Sequence, residues 1–322
     1  MMKALKIILI YLFLTASTQA QTVTIADPNL LKELSYEVDE NSDGKIQVSE
    51  ALAIKELDIN NLEISSLSGL EAFQNLEKLE CHTNKITSLT PLLNLNKLTE
   101  LDCNDNAIQV MPPLLNLIYL YCSNNAISVM PVLSNLVSVE CTYNKFTTLS
   151  FEAAKNLTDI DCSDNELLTS LNVTGLTKLT TLNFNFSALT SINLSGLTEL
   201  TALYCERNKL TSLNLLSNKK LTFLICSNNK LTSLQIANLP LLEIARCSTN
   251  LLTSISVKGL PALRELGLEY NKLTSIDLSG LVSLYLLSIN DNQLKVLNIG
   301  PCPKIGSLYT SGNAETFQII RE

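Results

Sequence analysis

The sequence predicts an α/β, β-rich solenoid: one short coil repeated along the chain, a parallel β-sheet on the concave face, and a short helical cap at the N-terminus. Three observations predict it. The stretch Leu221–Leu234, LTFLICSNNKLTSL, reads L-x-x-L-x-C-x-x-N-x-L-x-x-L and recurs along almost the whole chain. Its last Asn falls at Asn84, Asn106, Asn125, Asn144, Asn165, Asn208, Asn229, Asn250, Asn271, Asn292 and Asn313, with Ser187 standing in between Asn165 and Asn208. The steps run from 19 to 22 residues and settle at 21 from Ser187 onward, a period that marks stacked coils. Within a coil, Leu224 and Cys226 alternate with Phe223, Ile225 and Ser227, the period of a short strand whose Leu and Cys face inward. One coil cannot bury its apolar face alone, so coils must stack. The Asn amide both donates and accepts, which suits it to satisfy backbone groups in a turn stacked on its neighbour.

Residues 1–20 read as a secretory signal peptide: Lys3 and Lys6, the apolar run Ile7 to Leu14, and a small-residue cleavage site ending at Ala20. The run is short for a membrane span, a retained N-terminal anchor being the alternative, and the mature chain has no other long apolar run. Loss of the two leader lysines takes the formal charge from −8 to −10. So acidic a chain disfavours nucleic acid and anionic membranes as partners.

Residues 21–53 form the expected cap. Asp27 is placed to N-cap a short helix that begins at Pro28 and runs to Val38. The segment Asp39–Glu50, DENSDGKIQVSE, then matches an EF-hand calcium loop. Asp39, Asn41 and Asp43 supply oxygens at alternate positions, Gly44 makes the sharp turn and Glu50 closes the shell. Lys45 offers its backbone carbonyl, Gln47 a contact through water, and Ile46 points into the fold. With one loop and no second copy, the expected role of calcium is to staple the cap over the first coil rather than to sense.

The solenoid occupies residues 54–322. Its first coil places Ile54, Leu57, Ile59, Ile64 and Leu67 in the core, with Leu62 where later coils have Asn. The two 19-residue steps replace the usual return with Val110-Met111-Pro112-Pro113 and Val129-Met130-Pro131, so the return side is expected to be tighter there. After the last coil, Phe317-Gln318-Ile319-Ile320 is expected to serve as a minimal C-terminal cap.

The repeats, the calcium-type loop before them and the signal peptide together resemble secreted bacterial leucine-rich-repeat proteins, internalin-like in plan and with the Cys-containing repeats of Bacteroidetes. The resemblance covers roughly residues 22–320. It implies a curved right-handed leucine-rich-repeat solenoid that binds other molecules, and leaves the ligand open.

Cys81, Cys103, Cys122, Cys141, Cys162, Cys205, Cys226 and Cys247 share one inward place in the repeat, filled elsewhere by Phe184, Leu268, Ile289 and Thr310. That interchange points to free buried thiols acting as small apolar fillers, and parallel Cβ vectors suit bridging poorly. No C-x-x-C spacing points to zinc. Cys302 lies off the ladder, either an exposed thiol or a buried turn residue. The sole histidine, His82, is about ten strands and roughly 50 Å from Cys302, and faces away from Cys81. With no nucleophile pair and no phosphate loop, the expectation is a non-enzymatic protein.

The outward strand positions carry the variable chemistry. In the N-terminal half they are mostly acidic, from Glu56 and Asp58 to Asp161 and Asp164, with Tyr119, Tyr121 and Tyr143 among them. This is either a solvated face or a surface for a basic partner or for weakly held cations. In the C-terminal half, stacking in register puts Tyr204, Ile225 and Arg246 in one row and Phe223 and Ile244 in the next. Apolar side chains rimmed by charge mark a contact site. The leading expectation is a secreted or cell-surface module binding a protein partner through the concave face. A glycan-binding module, with tyrosines beside carboxylates as the sugar platform, and a structural envelope or matrix component are the alternatives.

Overall fold

The computed structural model describes residues 21–321; the signal-peptide reading of residues 1–20 lies outside the described residues. The chain is a parallel-sheet solenoid. Among the described residues thirteen three-residue strands form one sheet, from Glu56–Asp58 to Ser307–Tyr309, each paired in register with the next coil. The middle residue of each strand points into a continuous leucine core, as Leu57, Leu79, Leu101, Leu203 and Leu224 do. Strand pairs on the opposite side form only in the longer coils: Thr148–Ser150 with Ser170–Asn172, Ser233–Gln235 with Ser254–Ser256, and Val296–Asn298 with Gln318–Ile320. In the 19-residue coils proline removes a ladder donor, and the return side has turns instead, with Val110 and Val129 facing solvent. The C-terminal Phe317–Ile320 segment adds a back-side strand, with Phe317 packed against the core and Ile319 exposed.

The asparagines join one coil to the next. The Asn229 amide nitrogen donates to the carbonyls of Cys226 and Ser227 (both 3.2 Å) in its own coil and of Cys205 (2.8 Å) in the preceding one. Its oxygen accepts from Leu210 N–H at 2.9 Å, also in the preceding coil. Asn106, Asn208, Asn250, Asn271 and Asn292 repeat the inter-coil donation. The departure at Ser187 has a local reason. Leu168 N–H, which an asparagine there would satisfy, bonds instead to Asn165 O at 2.8 Å. The residue before each marker is left-handed although seldom glycine, as at Tyr143 (φ 49°), Phe186 (φ 52°) and Arg207 (φ 51°). Such conformations are disfavoured for residues with a Cβ and persist because backbone bonds to the next coil, such as Phe186 N–H to Glu206 O and Arg207 N–H to Ser227 O (2.9 and 3.0 Å), over-determine the turn.

The ladder cysteines are all buried and free. Burial pushes the thiols of Cys81, Cys103, Cys122, Cys141, Cys162 and Cys205 well above their ordinary range. In Cys226 contact with Cys247 comes first and burial second. Cys302 is the buried turn residue of its two readings, 2% exposed.

The N-terminal cap covers the first coil. Strand Thr22–Val23 pairs antiparallel with Ile46–Gln47, and helices α1 (Pro28–Glu37) and α2 (Val48–Ala53) flank the intervening loop. Leu30, Leu34, Val38 and Ile46 enter the common core. Asp27 caps α1 through Asn29 and Leu30 N–H, at 2.9 and 3.2 Å. Its other oxygen accepts from Ser65 N–H and Oγ, at 2.8 and 2.7 Å, so one carboxylate ties the cap to the coil beneath. Burial would raise its pKa, but these hydrogen bonds prevail and hold the carboxyl below its ordinary value.

Candidate functional site

Two outward rows run the length of the concave sheet, one from the first and one from the third residue of each strand. Over the first six strands the first row reads Glu56, Lys78, Glu100, Tyr119, Ser138, Asp159, and the third reads Asp58, Glu80, Asp102, Tyr121, Glu140, Asp161. These rows carry eight carboxylates and one lysine, a net −7 in a chain of formal charge −8. Lys78 bridges Glu80 and Glu100 at 2.8 and 2.9 Å, and its ammonium is pushed up by Glu80 first and Glu100 next. Asp102 is raised by burial, with Glu80 and Asp105 adding to it and Asn104 N–H and His82 opposing. The Tyr121 phenol is raised by burial and then by Glu100 and Glu140.

The sheet register brings the residues expected at the partner site together. Tyr204, Ile225 and Arg246 are paired along one row, and Ala202, Phe223, Ile244 and Glu265 along the other. The patch is less open than the sequence suggests. Phe223 is 38% exposed, while Tyr204, Ile225 and Ile244 are half-buried, since neighbours one strand apart shade one another. Arg246 is not a free rim cation: its guanidinium donates to both Glu265 oxygens, at 2.6 and 3.3 Å. Arg207 turns to the Phe186 ring, 5.0 Å from its centroid.

Sequence reasoning missed the far wall. Phe223 and Ile244 line a groove of about 650 Å³ completed by Tyr285, Leu286, Arg264 and Lys304. Tyr285 lies just before its strand and rests over Gly306, where a Cβ would meet the ring at 2.4 Å. The glycine in the following coil was the signal for that seat.

The calcium-type loop is wound around its oxygens. Asp39 accepts from Asp43 and Gly44 N–H (3.2 and 2.8 Å), Asn41 from Asp43 N–H (2.9 Å), Asp43 from Lys45 N–H (2.9 Å), and Glu50 from Gln47 N–H (2.8 Å). Gln47 donates to both Asp43 oxygens and accepts from the Asn41 amide, while Ile46 is buried. Asp39 and Glu50 are buried with no ion pair among the described residues, and their oxygens are met by the backbone N–H groups of Asp43, Gly44 and Gln47. Among the described residues no three His, Cys, Asp or Glu side chains gather closely enough to hold a metal, so calcium would also need the Asn41 amide oxygen and the Lys45 carbonyl. The donor chemistry fits calcium on those terms.

The coils, the asparagine ladder and the parallel concave sheet define a leucine-rich-repeat solenoid. Residues 25–165 match the family described as the leucine-rich-repeat domain of the endo-β-N-acetylglucosaminidase EndoS. The chain is similar to the functional domain of InlJ of Listeria monocytogenes, which includes a cysteine ladder, at 28% identity and TM-score 0.76 over 91% of this chain and 72% of that one. It is similar to the internalin InlF of Listeria monocytogenes at 26% identity and TM-score 0.76, over 95% of this chain and 98% of that one. A leucine-rich-repeat protein of Leptospira interrogans is 26% identical, TM-score 0.71, over 84% of this chain and 75% of that one. No curated protein matches the sequence. Internalin-like folds are commonly protein-interaction modules. No helix among the described residues is long and apolar enough to cross a membrane.

Proposed function

We propose that the protein is a non-enzymatic interaction module, secreted or displayed at a cell surface, that binds a protein partner through its concave face. The observation that carries this reading is the groove at Phe223, Ile244, Tyr285 and Leu286, apolar side chains set on the same concave sheet as the acidic rows. Affinity capture with the purified protein, repeated with Phe223→Ala plus Ile225→Ser, tests it. The double substitution is expected to weaken a captured partner by about 2 kcal/mol or more while leaving the unfolding midpoint nearly unchanged. Full-strength binding by that variant would reject the groove as the contact.

A second reading, glycan binding, has its own support. Tyr119 and Tyr121 stand beside Glu100, Asp102 and Glu140 on the acidic strands, and the family match over that half is to a domain of a glycan-cleaving enzyme. A glycan array decides it, and Tyr121→Ala would remove any signal that arises there. The cap loop is proposed to hold a structural calcium ion through Asp39, Asn41, Asp43, Lys45 and Glu50, with Gln47 nearby, and so to fasten the cap rather than bind the partner.

A further inference from the structure

The concave face changes character once along its length. Asp58, Asp102, Glu140 and Asp161 have no cationic partner among the described residues. They are held in fixed directions: Asp102 by Asn104 N–H (3.0 Å), Glu140 by Ser123 Oγ (3.1 Å) and Asp161 by Ser163 Oγ (2.7 Å). Two strands with uncharged outward residues follow, bearing Thr181 and Asn183, then Ala202 and Tyr204. The apolar groove begins on the next strand. Its charged edge is net positive, because Glu265 is taken by Arg246 and leaves Arg264 and Lys304 against Glu243.

Each half selects a different kind of group. Fixed, unpaired carboxylates in a concave row repel one another, and a cationic ligand relieves that repulsion and is steered towards it. The groove favours an apolar side chain, and Arg264 and Lys304 disfavour a second basic stretch there. Asp161 and Ile225 are three strands apart, about 14 Å, the length of four or five extended residues.

We infer that the concave face takes a polypeptide segment lying across the strands, with lysines or arginines over Asp102, Glu140 and Asp161 and an apolar anchor at Phe223 and Ile244, separated by a neutral spacer. The inference rests on the concave-face reading above and names the chemistry of its partner.

Fluorescence anisotropy with labelled synthetic peptides tests it. The probe is a run of lysines, a Gly-Ser spacer of about five residues and a Phe-Leu pair. Its counterparts carry Glu for Lys, Ser for Phe-Leu, or no spacer. The probe is expected to bind at least about tenfold more tightly than each counterpart, and more weakly as salt rises. Asp102→Asn with Glu140→Gln and Asp161→Asn should erase the advantage of lysine over glutamate. Phe223→Ala with Ile244→Ser should erase that of Phe-Leu over Ser. Thr181→Trp, on the neutral strip, should obstruct any segment crossing the face, and circular dichroism checks the fold of each variant. If Thr181→Trp blocked binding but lysine and glutamate peptides bound alike, the concave-face reading would stand and this inference would fall. Binding indifferent to Thr181→Trp would overturn both. Failure of all four peptides to bind would overturn the inference, while partner capture still judges the broader reading.

Discussion

Replacing Asn229 with alanine isolates what joins one coil to the next. The Cys226 carbonyl keeps a donor in Asn250 (3.0 Å), and the Ser227 carbonyl keeps Arg207 N–H (3.0 Å). Leu210 N–H has no acceptor besides Asn229 among the described residues, and the Cys205 carbonyl is left with a long 3.4 Å contact to Asn208. One buried donor and one nearly orphaned acceptor, at about 1–3 kcal/mol each, give an expected loss of roughly 2–5 kcal/mol. Asn229→Asp sharpens the test. The carboxylate still accepts from Leu210 N–H but faces three carbonyl oxygens to which it cannot donate. It should be worse than alanine at neutral pH and recover on acidification, as the protonated acid regains a donor. Urea denaturation followed by circular dichroism reads both variants, the m-value showing whether the same unit unfolds. A loss below about 0.5 kcal/mol for Asn229→Ala would refute the claim that these amides hold the coils together.

Calcium is expected to raise the unfolding midpoint, because a ligand bound by the folded state alone stabilises it, and Asp39→Ala or Glu50→Ala should abolish the rise; calorimetry showing no binding at about millimolar calcium would dismiss the site. The Asp27 carboxyl has a lowered folded-state pKa, so its contribution is present above the unfolded value near about 4 and is lost as pH falls through the folded value. Asp27→Asn should therefore destabilise at neutral pH and flatten the acid limb of the stability curve; an acid limb identical to wild type would contradict this. A thiol reagent should label few or none of the nine cysteines in native protein and all of them after denaturation, whereas disulfides between neighbouring ladder positions, found by mass spectrometry, would overturn the filler reading.

The sheet was legible in the sequence because every coil solves the same problem with the same residues. The alternation at Leu224 and Cys226 gave the inward face, and constant spacing gave the register that aligns Phe223 with Ile244. The N-cap at Asp27 was legible because its partners lie two and three residues on. Its bonds to Ser65 were not, since they join residues 38 apart across the cap and the first coil. Arg246 was taken for a rim charge because row arithmetic compares like positions, whereas its pairing with Glu265 runs diagonally between rows. Tyr285 was missed because it precedes the strand, where only curvature and the bare Gly306 decide whether a ring can lie flat. The Ser187 departure became intelligible once Leu168 N–H was seen to have a local acceptor.

Because the asparagines bond back to the backbone of the coil before them at a constant spacing, a whole repeat is a removable part. Excising residues 188–208 would join Ser187 to Lys209 with the chain still in phase. It would take one neutral strand from the concave sheet and bring the acidic rows about 4.8 Å nearer the groove; inserting a copy would move them as far apart. The protein is in this sense a graduated rule, and the spacing its partner requires can be measured by altering the rule.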